Sequence, residues 1–202
     1  MMPPRCRFAA IAAGLLGAVI VPSGAAADGV AAVVRSTSWG ESSDALARAF
    51  GARATVLARP IEYGDSYADV ALRKETLGGY PFIVYFQMDK ARGGLKRIQF
   101  ERPRHGVNPR VFRAVLAALE AEYGAPVERC SIRAREANGY QAAAQWRWRA
   151  GGDIVRAVLR DTTLEASEGC LFGDASSVGA CGLTGQLLVR VTPTGADEDR
   201  CR

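Results

Sequence analysis

The stretch from Tyr80 to Tyr123 constrains the fold of this chain more than any other. Tyr80, Phe82, Val84, Phe86 and Met88 occupy every second position, the spacing of a strand with one buried side. Lys90-Ala91-Arg92-Gly93-Gly94 supplies turn chemistry, and Ile98 and Phe100 resume the alternation on a returning strand. A loop with Pro103 and Gly106 leads to Asn108-Pro109, a good N-cap followed by a good first helical residue. Phe112, Val115, Leu116, Leu119 and Tyr123 then fall three and four apart, so the helix has a single apolar stripe. Gly124 closes the helix and Pro126 stops it resuming. A hairpin followed by a one-sided helix has an obvious place to bury that stripe: the face of its own sheet.

The flanking sequence repeats the same parts. Ser42-Ser43-Asp44 starts a short helix through Phe50, with Gly51 after it. Ala52 to Arg59 and Tyr67 to Lys74 read as strands, and Gly78-Gly79 turns the chain into the hairpin. After the long helix, strands are expected at Val127 to Arg135, Tyr140 to Arg149, Ile154 to Arg160 and Gln186 to Thr192. Trp146 and Trp148 share one face of their strand, opposite Gln145, Arg147 and Arg149, and read as core. Asp28 to Arg35 reads as a first strand or a frayed leading segment, and Asp161 to Leu183 as an irregular loop.

An offset of 73 residues carries Ala45-Leu46 and Phe50-Gly51-Ala52 onto Ala118-Leu119 and Tyr123-Gly124-Ala125. The same offset carries Gly78-Gly79 onto Gly151-Gly152. Residues 38–107 and 108–195 are therefore either half-repeats of a pseudo-duplicated unit or two unrelated helix-plus-meander halves. The architecture expected is the same in both cases. It is α+β: a two-layer domain with an antiparallel sheet and two helices on one face.

Residues 1–27 form a separate segment. Arg5 and Arg7 precede an apolar or small-residue run from Phe8 to Val21, then Pro22-Ser23-Gly24 and Ala25-Ala26-Ala27. That is the order of a secretory signal peptide, with a mature chain expected from Asp28 to Arg202 as a single domain. The location expected is therefore periplasmic or secreted, and no further run is long enough to span a membrane after cleavage. Cleavage removes two arginines and no acid from a precursor of 26 basic and 21 acidic residues, so the mature charge is 24 − 21, or +3. A mild excess in an exported chain does not argue for nucleic acid. Four cysteines remain, and an even count in an oxidising compartment reads as two disulfides. Cys170 and Cys181 close the shortest ring, so the expected pairs are Cys170–Cys181 and Cys130–Cys201.

The chain has no G-x-S-x-G elbow, no Cys-x-x-Cys pair, no phosphate-cradling loop and one histidine, His105, between arginines. No catalytic, cofactor-binding or metal-ligating residues are therefore assigned, and no cofactor is expected. The remaining candidate is a surface. Lys90, Arg92, Lys96, Arg97, Arg102, Arg104, Arg110 and Arg113 are opposed in their stretch only by Asp89 and Glu101. Placed together at one end of the sheet, they suit an anionic envelope lipid or glycan.

The helix ending Tyr123-Gly124-Ala125-Pro126, the Trp-bearing strand after it and the Trp39-Gly40 opening resemble small exported bacterial α+β proteins of unknown function. That resemblance implies a periplasmic or secreted domain and assigns no residue a role. The function expected is a non-enzymatic, envelope-associated binding or accessory domain. The alternative is a hydrolase using acidic residues that sequence spacing does not reveal; Glu120 and Glu122 flank the solvent side of their helix and read as solvated.

Overall fold

The structure, a computed structural model, describes residues 29–103, 108–132, 142–161 and 186–195. In chain order the elements are α1 (Val30–Arg35), α2 (Ser43–Phe50), β1 (Ala54–Glu62), β2 (Ser66–Leu77), β3 (Tyr80–Asp89) and β4 (Leu95–Glu101). There follow α3 (Pro109–Tyr123), β5 (Glu128–Ile132), β6 (Ala142–Ala150), β7 (Asp153–Asp161) and β8 (Gln186–Pro193).

The helix ends follow from their residues. The Ser42 hydroxyl accepts from the Ala45 amide and the Asn108 carboxamide from the Val111 amide, each satisfying one orphan donor of a first turn. Gly51 and Gly124 follow α2 and α3 at φ 52° and 78°, where a Cβ is disfavoured.

The eight strands form one sheet in the order β1-β2-β3-β4-β8-β7-β6-β5, antiparallel throughout. Two four-strand meanders thus meet along β4 and β8. Leu77 faces Tyr80 around Gly78-Gly79, and Ala150 faces Asp153 around Gly151-Gly152, the same hairpin register at the 73-residue offset. The fold is compatible with α+β and is dominated by the sheet.

All three helices pack on one face. Val30 and Val33 of α1, Leu46 and Phe50 of α2, and Phe112, Val115 and Leu119 of α3 join one core cluster with Phe82, Phe86, Phe100, Trp148 and Val189 from the strands. Each such side chain, fully buried, contributes roughly 1.5–3 kcal/mol. Phe112 meets Trp146 edge-on at 5.0 Å between ring centres, and Phe50 meets Phe86 at 5.1 Å. The Trp148 indole donates to the Gly124 carbonyl at 2.8 Å, tying β6 to the end of α3.

Two expectations change here. Residues from Val30 to Arg35 form a helix and not a strand, so among the described residues three helices cover the sheet. Val30 and Val33 lie three apart and both turn inward, a helical spacing hidden in so short a run. The Trp39-Gly40 segment also docks on the hairpin: Gly40 N donates to Leu95 O and Leu95 N to Glu41 O. A Cβ on Gly94 would meet the Gly40 carbonyl oxygen at 2.6 Å, so this approach requires glycine.

Candidate functional site

The eight basic residues read from the sequence do not form one patch. Lys90 and Arg92 follow the end of β3, whereas the Arg102 guanidinium lies over the Tyr80 ring at its start. The ten residues of β3 hold these groups roughly 30 Å apart. Arg110 and Arg113 belong to the first turns of α3 and are exposed. Ala114, the next residue, packs on Gly78 beside Tyr80, so these two arginines go with the Arg102 end. Arg104 lies outside the described residues. The expectation failed because a strand separates the two groups that the chain order brings together.

The group at the hairpin end is also largely neutralised. Lys90 pairs with Glu62 at 2.7 Å, Lys96 with Asp65 at 2.8 Å and Asp89 at 3.3 Å, and Arg97 with Asp65 at 3.5 Å. Lys90 also donates to the Tyr63 carbonyl, and Arg97 donates to the Gln87 carboxamide oxygen. These cations clamp the β1–β2 connection, Tyr63-Gly64-Asp65, onto the hairpin. The hydrogen bond from Lys96 holds the Asp65 carboxyl well below the usual carboxylate range. Arg92 remains exposed beside an open groove of about 730 Å³ that Trp39 and Lys96 also line.

A different basic feature appears on the sheet face away from the helices. Strand alternation turns Trp146, Trp148, Val155, Ala157, Val189 and Val191 toward the helices, and Arg147, Arg156 and Arg190 to the other side. The registers Arg190↔Arg156 and Arg156↔Arg147 set these three arginines directly opposite one another on adjacent strands. With neighbouring strands about 4.8 Å apart, the row spans roughly 10 Å. It continues through Gln99, opposite Arg190, and Glu128, opposite Arg147.

The row has carboxylates at both ends. Arg147 pairs with Glu128 at 2.9 Å; Arg190 Nε donates to Gln99 Oε1 at 2.9 Å, and Gln99 Nε2 to Glu101 Oε2 at 3.1 Å. Arg156, in the middle, is 5% exposed, and it and Arg190 make further contacts of their own. Like charges directly opposite across strands cost stability, typically about 0.2–1 kcal/mol a pair. Three buried donors around the row nevertheless find no hydrogen-bond partner: Arg147 Nε, Gln145 Nε2 and Thr192 Oγ1. Gln145 is two residues from Arg147 on β6, and Thr192 two from Arg190 on β8, so all three face the same side.

Beside the row, Tyr63 folds over the same face next to Gln87, Tyr85 and Glu101. Burial, helped by the Glu101 and Tyr85 charges, pushes the Tyr63 hydroxyl up to about 12. Burial and Glu101 raise Tyr85 as well. Both phenols therefore stay protonated at neutral pH. No family model, curated protein or solved structure matches this chain.

The other candidates resolve simply. Among the described residues no three His, Cys, Asp or Glu side chains come together as a metal site, and no helix is long and apolar enough to cross a membrane. Glu120 pairs with Arg129 at 3.1 Å, and Glu122 accepts from the Ala31 amide at the start of α1. Cys130 on β5 is disulfide-bonded. His105, Cys170, Cys181 and Cys201 lie outside the described residues. The arginine row was missed in the sequence because register decides it. Its one signal there is an arginine within each of two apolar runs, 154–159 and 187–191, beside a strand that alternates Trp with Arg.

Proposed function

We propose that this chain is an exported, non-enzymatic binding domain of the cell envelope, and that the arginine row holds its anionic ligand. One observation carries the reading: Arg147, Arg156 and Arg190 are mutual cross-strand neighbours on one face, ringed by buried donors that have no acceptor. Leaving such donors unmet costs about 1–3 kcal/mol each, and an anion supplies the acceptors while offsetting the repulsion between guanidinium groups. The arginine fork suits planar or tetrahedral oxyanions. The segment before Asp28 has the order of an export signal, which puts anionic lipids and glycans within reach. We also read the two meanders, with their shared hairpin register, as copies of one duplicated unit.

The test is co-sedimentation of the processed chain with anionic and neutral vesicles, with binding to sulfated dextran alongside, at low and high salt. Binding to an anionic target at low salt that fades at high salt is expected. Arg147→Gln should weaken it, whereas reversing the exposed Arg92, Arg110 and Arg113 to glutamate should leave most of it. Equal binding to neutral vesicles, or loss only in the triple reversal, would move the site off the sheet face.

A further inference from the structure

We propose that the open groove beside the β3–β4 hairpin is a second binding site, for an acidic sugar unit whose ring lies on Trp39 and whose carboxylate pairs with Arg92. The proposal does not depend on the arginine row. The groove, of about 730 Å³, lies between the hairpin tip and Pro193 at the end of β8. That size falls in the range of about 300–1,000 Å³ common for small-ligand sites. Its apolar lining is Trp39, Leu95 and Pro193, and its charged lining is Asp89, Arg92 and Lys96.

The walls of the groove are fixed in place. The half-buried Trp39 side chain is held at its tip, where Nε1 donates to Asp153 Oδ1 at 2.7 Å, and its neighbour Gly40 is bonded to Leu95. Asp89 holds the hairpin tip, its carboxylate accepting from the Ala91 and Arg92 amides at 2.8 and 3.1 Å. A ligand therefore meets a site with little left to order. The charge is not balanced, however. Lys96 pairs with Asp89 and Asp65, whereas the exposed Arg92 side chain has no ion pair among the described residues. Its guanidinium fork suits a carboxylate. A sugar ring presents C–H groups on its face, which suit the electron-rich face of an indole, and hydroxyls at its edge, which suit the charged rim. An extended peptide fits less well: the Gly40 and Leu95 amides already donate to the Leu95 and Glu41 carbonyls, so no backbone ladder is open to it. Inorganic phosphate has no ring to seat on the indole, so little holds it here.

The probes are trigalacturonate and galactotriose, which share a ring and differ in the carboxylate, with triglutamate as the peptide arm. Each is titrated into the processed, nitrogen-labelled chain and followed by calorimetry and by magnetic resonance. Trigalacturonate is expected to bind about tenfold more tightly than galactotriose, the worth of one charge-assisted hydrogen bond, and to shift the Arg92 Nε–H and Trp39 indole N–H signals together. Arg92→Gln, at an exposed position, should bring the two sugars to equal affinity, and Trp39→Phe should weaken both. Should Trp39→Phe fail to fold, Ala91→Glu at the exposed rim serves in its place, setting a like charge beside the carboxylate and removing the preference for the acid. Equal affinity for the two sugars in the unmodified chain, or triglutamate binding as tightly as trigalacturonate, would overturn the acidic sugar. Shifts confined to Arg147, Arg156 and Arg190 would place it on the row and overturn the groove. Binding of neither sugar would remove this site and leave the reading of the row standing.

Discussion

Gly78 offers a sharp test of how the hairpin of the first meander sits against α3. Its φ is +60°, and a Cβ built there would lie 2.7 Å from the carbonyl carbon and oxygen of Ala114 and 2.9 Å from the Val115 nitrogen. Those atoms are helix backbone and cannot rotate away. A left-handed conformation costs a non-glycine residue about 1 kcal/mol or somewhat more. Forcing the turn off the helix adds about 2 kcal/mol, in the range of other overpacking changes. Gly78→Ala should therefore cost about 3 kcal/mol in total. Gly79 and Gly151 also have positive φ, but a Cβ at either meets nothing within 4 Å. Their alanine variants carry only the conformational cost, about 1 kcal/mol each. In a domain of this size 1 kcal/mol shifts Tm by about 2–4 °C, so the expected losses are roughly 6–12 °C against 2–4 °C. Thermal and urea unfolding of the three variants read this directly. Equal losses at the three positions would refute the close approach and leave backbone strain alone.

Trp148→Phe keeps most of the buried ring but removes the indole donor to the Gly124 carbonyl. It should cost about 0.5–1.5 kcal/mol in urea unfolding, and a cost near zero would dismiss that bond. Asp65 is held below the usual carboxylate range by Lys96, so its contribution is present above the unfolded pKa of about 4 and lost as pH falls further. Asp65→Asn should flatten the acid limb of stability below about pH 4, less so in high salt because the carboxyl is half exposed; an unchanged limb would contradict the clamp. Tyr63 is raised to about 12, so the stability it contributes below its unfolded pKa of about 10 is lost as pH climbs from there toward 12. Ultraviolet titration should show late phenols, since burial raises Tyr85 and Tyr123 as well, and Tyr63→Phe should remove one of them; an unchanged late phase in Tyr63→Phe would remove Tyr63 from the sheet face.

Much of the fold was legible because the signals were local. The period-2 run in β3, the Asn108-Pro109 start of α3 and the terminal glycines Gly51 and Gly124 each act within one or two turns of chain. The same applies to Gly78-Gly79 and Gly151-Gly152, which fix two hairpins in identical register. The first helix was not legible, since a six-residue run is too short for its helical spacing of two inward valines to stand out. The candidate site was hidden for a different reason. Charge counted along the chain put Lys90 and Arg113 in one cluster, but the length of β3 separates their surroundings. The arginines that do come together are 9 and 34 residues apart in sequence, Arg147 to Arg156 to Arg190, and only strand order and register make them neighbours. An antiparallel meander thus turns chain proximity into distance, and its closing strand, β8 between β4 and β7, brings distant residues together.

The arginine row can be tested directly by watching the arginine side chains. In a nuclear magnetic resonance titration of the processed, nitrogen-labelled chain with inorganic phosphate, the Nε–H signals of Arg147, Arg156 and Arg190 should shift together along one saturating curve. Those of Arg92, Arg110 and Arg113 should stay in place. Shifts confined to the exposed arginines, or no saturation in any signal, would contradict an anion site on the sheet face.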